Sequence, residues 1–191
     1  MHIAITGGIG TGKSYVCNML RQMGVSVYDC DAAAKQLMRT SPQLRQQLIA
    51  LIGRDVYDNN GEVQKRVVAQ YLLASEANKQ ALNNVVHPAV AADYLHSGCE
   101  WLESAILFES NFDKRLHFDF VVCVSAPRQV RIQRIVRRDS IAPEKAEQWI
   151  DAQMPQAEVE QRSHFVINND GMADVAHQLQ CLLNNISDKQ R

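Results

Sequence analysis

Three sets of residues have types and spacing suited to chemistry on phosphate. The first is Gly7-Gly8-Ile9-Gly10-Thr11-Gly12-Lys13-Ser14, which fits the pattern G-x-x-x-x-G-K-[ST]. Glycines let a backbone curl and aim successive N–H groups at phosphate oxygens. The lysine of such a loop reaches the β and γ phosphates, and the Ser14 hydroxyl is placed to ligate Mg²⁺. The helix that continues through Tyr15 turns its positive end toward the same anion. A chance match in a chain this long is roughly a 1% event, so the stretch reads as a nucleoside triphosphate site.

The second set is Asp29-Cys30-Asp31. Each aspartate has two readings: an N-cap or first-turn acid of the next helix, or a catalytic carboxylate facing the phosphate loop. The third is Arg131, Arg134 and Arg138, whose i, i+3, i+7 spacing puts them on one helix face. Alone they would be a solvated basic face. Beside a phosphate loop they suit a lid. Phosphoryl transfer spreads charge over three equatorial oxygens that arginines can stabilise, and a lid keeps water from the phosphoryl group.

These groups need a scaffold that brings them to one edge. His2 to Thr6 reads as a buried strand and Lys13 to about Met23 as a helix ended by Gly24. Val25 to Tyr28 is a second short strand, followed by a helix-like stretch from Ala32 to Met38. Strand, phosphate loop, helix, strand begins a parallel sheet, whose ligands bind at the C-terminal edge. From Ser41 to Gly98 the pattern is helical, with a turn at Asp58-Asn59-Asn60-Gly61. His87-Pro88 is expected to interrupt the helix there, because proline disfavours helical geometry in the residue before it. Ser104 to Glu109 is the third strand candidate, Phe120 to Val124 the fourth and Phe165 to Ile167 the fifth. An amphipathic helix from Val175 to Ile186 closes the chain, and Ser187 to Arg191 reads as a frayed polar tail.

The expected fold is therefore α/β: a P-loop parallel sheet of about five strands flanked by helices, with a helical acceptor-binding insertion and a lid. One chain of 191 residues holds a core at about 1–30, 99–127 and 163–191, the insertion at about 31–98 and the lid at about 128–162. Ser140 to Glu144 would form the turn at the lid's tip. A net charge of −1 gives no footprint for nucleic acid or an anionic membrane. Five scattered cysteines without a C-x-x-C pair argue against a zinc site or a disulfide framework. No segment approaches eighteen apolar residues, and the expected location is cytoplasmic. No motif speaks to oligomeric state.

The whole pattern resembles the dephospho-CoA kinase family, from Ile3 to about Leu183. The resemblance rests on Ile5 to Ser14, Asp29-Cys30-Asp31, His87-Pro88 and Leu107-Phe108-Glu109. It continues through Arg134, Arg138-Asp139, Gln153 and Val166-Ile167-Asn168-Asn169 followed by Gly171. It implies transfer of the ATP γ-phosphoryl group to the ribose 3′-hydroxyl of dephospho-CoA, with ATP and Mg²⁺ as cofactors. It also implies roles. Lys13, Asp31 and Arg138 would be catalytic. Gly8, Gly10, Thr11, Gly12, Lys13, Ser14, Tyr15, Arg134, Arg138 and Asn169 would bind ATP, with Asn169 near the adenine. Asp31, Lys65, His87 and Glu109 would serve dephospho-CoA, and Ser14 the metal. Three positions depart from the family's pattern. Tyr15 stands where threonine is usual, Lys65 where arginine is common, and Trp149 where a further lid arginine often lies.

The alternative within kinases is a nucleoside monophosphate or other small-metabolite kinase on the same fold. A GTPase switch would want Asn-Lys-x-Asp, and the nearest string, Asn78-Lys79-Gln80-Ala81, lacks the acid. An ATP-binding scaffold without turnover would have lost Lys13, Asp31 or the lid arginines, all of which are present.

Overall fold

A run of apolar residues too short for a helix and followed by glycines has one economical solution, a buried strand. Ile3–Thr6 takes it as β1. In the computed structural model, which describes residues 1–189, β1 sits in the middle of a five-stranded sheet of order β2-β3-β1-β4-β5. The other strands are β2 (Val27–Asp29), β3 (Trp101–Glu103), β4 (Phe120–Ser125) and β5 (Phe165–Asn168). β1 pairs in parallel with β3 and with β4, and β4 with β5. Ile3, Ala4 and Ile5 are buried, as are Val121, Val122, Cys123 and Val124. Interior strands of a parallel sheet are covered on both faces, hence the unbroken apolar runs.

Helix α1 (Lys13–Gln22) and the final helix, α10 (Val175–Lys189), lay Val16, Leu20, Leu179 and Leu182 against β1, β4 and β5 in one core. That last helix passes through Ser187, where a frayed tail was expected; the rest of that tail, Gln190 and Arg191, lies outside the described residues. Between β4 and β5 run α7 (Arg128–Asp139), α8 (Pro143–Asp151) and α9 (Gln156–Gln161). Ser140 takes a left-handed turn (φ 54°) between the first two. Ile132, Ile135, Ala146 and Ile150 form a second, smaller core inside this pair.

The chain divides into two compact units: Met1–Tyr28 with Cys99–Arg191, and Asp29–Gly98. The second is helical, with α2 (Cys30–Thr40), α3 (Pro42–Ile52), α4 (Lys65–Ala74) and α5 (Glu76–Ser97). Leu44, Leu48, Leu82, Val86, Val90 and Tyr94 are among its buried side chains. None of the five cysteines is in a disulfide: Cys17, Cys30 and Cys123 are buried, and Cys99 and Cys181 are partly exposed. No helix among the described residues is long and apolar enough to cross a membrane.

Two sequence expectations need correction. The third strand is Trp101–Glu103, and Ala105–Ser110 is a series of turns ahead of the short helix α6 (Phe112–Arg115). Leu107 and Phe108 are nevertheless buried; a short apolar run reports burial, and periodicity alone does not make it a strand. The second correction is Pro88, which lies inside α5 without ending it. An interior proline costs about 3 kcal/mol. Burial of Leu82 and Val86 before it, and of Val90 and Tyr94 after it, contributes roughly 1.5–3 kcal/mol per large aliphatic side chain. Packing of one continuous face outweighs the break.

The structure also separates the two aspartates. Asp29 is the N-cap of α2: its carboxylate accepts the Ala32 N–H at 2.9 Å. Asp31 stands in the first turn, exposed, and is not the cap. Asp29→Ala should therefore lower unfolding free energy by about 1 kcal/mol. Asp31→Ala should stay within about 0.5 kcal/mol. Urea denaturation of both variants reads the difference.

Candidate active site

A phosphate loop works only if its amides face inward, so its carbonyls need partners on the outside. The first unit supplies them. Arg131 donates from Nε to the Ile9 carbonyl at 2.9 Å. Arg134 donates from Nη1 to the Thr11 carbonyl at 3.2 Å, and Asn169 donates from Nδ2 to the same oxygen at 2.8 Å. The Ile9 N–H is held as well, donating to Gln153 Oε1 at 2.7 Å. The Ile9 side chain packs on the small core of α7 and α8. The loop's apex is thus pinned through both backbone groups and its side chain. Residues 128–162 belong to the same compact unit as the loop they hold.

This contact dictates the glycines. At Gly10 (φ +81°) a Cβ would come 2.8 Å from the Arg131 carbonyl oxygen, which cannot move without the helix. At Gly12 (φ +92°) a Cβ would overlap Asn169 Nδ2. Gly12 is also the N-cap of α1 and supplies no side-chain acceptor. The first amides of that helix are left to an anion.

Arg131 is 4% exposed, and burial, with Arg128 adding to it, holds its pKa below the ordinary guanidinium value. Lys13 ion-pairs with Glu103 at 3.7 Å, in a place where the two side chains are 10% and 15% exposed. Glu103 ends β3 and sits in register with Ile5 on β1. The sequence reading missed it because it set the third strand three residues late and took Glu109 as the terminal acid. Glu109 instead accepts the Met154 N–H at 3.0 Å, near the end of the α8–α9 segment.

The lid arginines do not act alike. Arg131 and Arg134 reach the loop; Arg138 does not, being 61% exposed at its side chain and bound to Asp139 at 2.7 Å. Trp149 packs on the core of α7 and α8. Beside the loop a cavity of about 580 Å³ is lined by Gly12, Tyr15, Arg134, Asn169, Gly171 and Val175, among others. Asp170, between the lining residues Asn169 and Gly171, accepts the Met172 and Ala173 N–H groups at 2.8 Å each. Those bonds hold its carboxyl below the usual carboxylate range. Thr11, Tyr15, Arg134 and Asn169 are thereby brought together with Lys13 and Ser14 around one loop. The second unit carries Asp31 at the start of α2, Lys65 at the start of α4 and His87, half-buried, on α5.

A phosphate loop after the central strand of a parallel sheet, backed by arginines from the helix after β4, defines a P-loop kinase. Comparison with known proteins narrows the class. The chain belongs to the dephospho-CoA kinase family, whose sequence model matches residues 1–174. The dephospho-CoA kinase of Bacteroides fragilis strain YCH46 is 40% identical over 176 residues, covering 88% of this chain and 84% of that protein. The crystal structure of TT1252 from Thermus thermophilus superposes with a TM-score of 0.79 at 28% identity, over 100% of both chains. The dephospho-CoA kinase structure from Campylobacter jejuni shares the fold, with a TM-score of 0.69 at 18% identity over 100% of this chain and 98% of that one. The chain is thus an ATP-dependent phosphotransferase acting on dephospho-CoA.

Removal of the Arg131 donor would leave the part-buried Ile9 carbonyl without its partner. Arg131→Met should cost about 1–3 kcal/mol of stability and raise the KM for ATP. Denaturant unfolding and steady-state kinetics on the same preparation check both effects.

Proposed function

We propose that the residues of this chain divide the transfer as follows. The loop amides and Lys13 hold the phosphates of ATP, Lys13 exchanging its ion pair with Glu103 for the β and γ oxygens. The observation that carries this reading is the outward binding of the loop carbonyls by Arg131, Arg134 and Asn169. It leaves the amides preorganised for charge that develops during transfer. The cavity beside Tyr15, Arg134 and Asn169 takes the adenosine part of ATP.

Ser14 is the protein's ligand for Mg²⁺. Among the described residues no group of three or more His, Cys, Asp or Glu side chains is gathered to cage a metal. A single hydroxyl donor such as Ser14 would suit an ion that keeps its waters and takes its other oxygens from substrate phosphates. When bound, Mg²⁺ neutralises charge on the β and γ oxygens.

Asp31 orients the acceptor 3′-hydroxyl and accepts its proton as the bond to phosphorus forms. An exposed carboxylate can do this by positioning as much as by basicity. His87, Lys65 and Glu109 belong to acceptor binding. Arg138 leaves Asp139 to meet the transferring phosphoryl group. With Trp149 in place of a further lid arginine, Arg134 and Arg138 carry that task between them.

Asp31→Asn should lower kcat by at least about 100-fold while ATP affinity stays within twofold. Near-normal turnover would remove Asp31 from the mechanism. Arg138→Ala should reduce kcat much more than it weakens ATP binding. Equal losses in both would make it a ground-state ligand.

A further inference from the structure

Gln153 belongs to the pattern that carries the family resemblance, yet the division of roles above gives it no part. Its Oε1 accepts the Ile9 N–H at 2.7 Å. The carbonyl of the same peptide, that of Gly8, accepts the Thr11 hydroxyl at 2.8 Å in a buried place. Two side chains thus set the plane of one peptide at the loop's apex. Glycine on its N-terminal side offers little resistance to tilting, so the plane depends on those partners. Gln153 is itself firmly based. Its own N–H donates to the carbonyl of Ile150 at 3.2 Å, and Ile150 belongs to the small core that receives the Ile9 side chain. The next N–H, that of Met154, donates to Glu109 at 3.0 Å. The amide also lies close against Gly8, where a Cβ would overlap Arg131 Nη2 and come 3.1 Å from Gln153 Oε1.

We propose that Gln153 is a positioning residue for phosphoryl transfer, acting through Ile9 on the Gly10 N–H. The proposal rests on the reading that the loop amides hold the phosphates of ATP. Adenosine beside Gly12 and Tyr15 puts the α and β phosphates near the start of α1, so the γ-phosphoryl group lies toward the apex. The Ile9 carbonyl and the Gly10 N–H share one peptide plane. Arg131 fixes the carbonyl of that plane, and Gln153 fixes the peptide before it. The Gly10 N–H is thereby aimed inward, where negative charge builds on the γ oxygens during transfer. Without Gln153 the Ile9 N–H lacks an acceptor and tilts toward a phosphate oxygen to find one. The Gly10 N–H then leaves its line. Ground-state ATP loses little, because one amide replaces another and Lys13 still reaches the same phosphates. The transition state loses a donor in the right place, so the loss falls on kcat.

The test uses the full chain and the variants Gln153→Met, which keeps the length of the side chain without its amide, Gln153→Glu and Thr11→Val. Thermal melting confirms that each is folded. Three quantities are measured: Mg-ATP affinity by calorimetry, kcat and KM with dephospho-CoA, and exchange of the Ile9 amide by NMR. In Gln153→Met, kcat should fall at least about tenfold, while the Kd and KM for ATP stay within about threefold. The Ile9 N–H should exchange about tenfold faster, with the amides of Leu20 and Val122 as protected as before. Gln153→Glu keeps an acceptor oxygen and should retain the protection of Ile9. Thr11→Val frees the other end of the same peptide and should show the same split between kcat and KM. The double variant Thr11→Val/Gln153→Met should lose little beyond the worse single one, because both side chains hold one peptide. An unchanged kcat in Gln153→Met, or equal losses in kcat and ATP affinity, would overturn the positioning role and leave the kinase reading intact. A wild-type chain that does not bind Mg-ATP would overturn both.

Discussion

The phosphate loop is a stretch of backbone asked to bind a highly charged anion with amides alone, and an amide faces inward only if its carbonyl is satisfied outside. That constraint organises the first unit. Arg131 on the Ile9 carbonyl and Arg134 with Asn169 on the Thr11 carbonyl meet it, while Gln153 fixes the apex by accepting the Ile9 N–H. These four side chains come from α7, the end of α8 and the end of β5. Elements distant in sequence must therefore be in place before the loop has its working shape. A buried, permanently charged arginine is costly unless fully bonded. Its position under the loop makes sense as a fixed partner for backbone dipoles.

The same contact divides the basic face that the sequence presents. Arg131 is spent on the fold, Arg134 bridges loop and cavity, and only Arg138 has its guanidinium in solvent with a partner it can exchange. Lys13 is in the comparable position of holding a replaceable ion pair, with Glu103. Both cations are held where they are until something more negative arrives, and for Lys13 the pair also avoids an unpaired charge in a partly buried place.

Much of this was legible in the residues. The loop, β1, β4, β5 and the closing helix follow from spacing and apolar runs, and the parallel sheet follows from strand, loop, helix, strand. The resemblance supplied the family. What the sequence hid depended on tertiary contact. Leu107 and Phe108 are apolar enough for a strand, but their burial comes from turns, and the displaced strand concealed Glu103. Pro88 carries a local signal against helix that the packing of Val86, Val90 and Tyr94 overrides. Arg131 matches Arg134 and Arg138 in type and periodicity; only the fold shows that it points under the loop. Asp29 and Asp31 were indistinguishable until the Ala32 N–H chose its partner.

The central claim is that ATP held by this loop donates its γ-phosphoryl group to one acceptor. It is tested most directly by following ADP release from Mg-ATP with dephospho-CoA, and with AMP and GMP as comparison acceptors. The account predicts release that depends on dephospho-CoA, with coenzyme A formed one for one and little turnover on either monophosphate. Faster phosphorylation of AMP or GMP than of dephospho-CoA would contradict it.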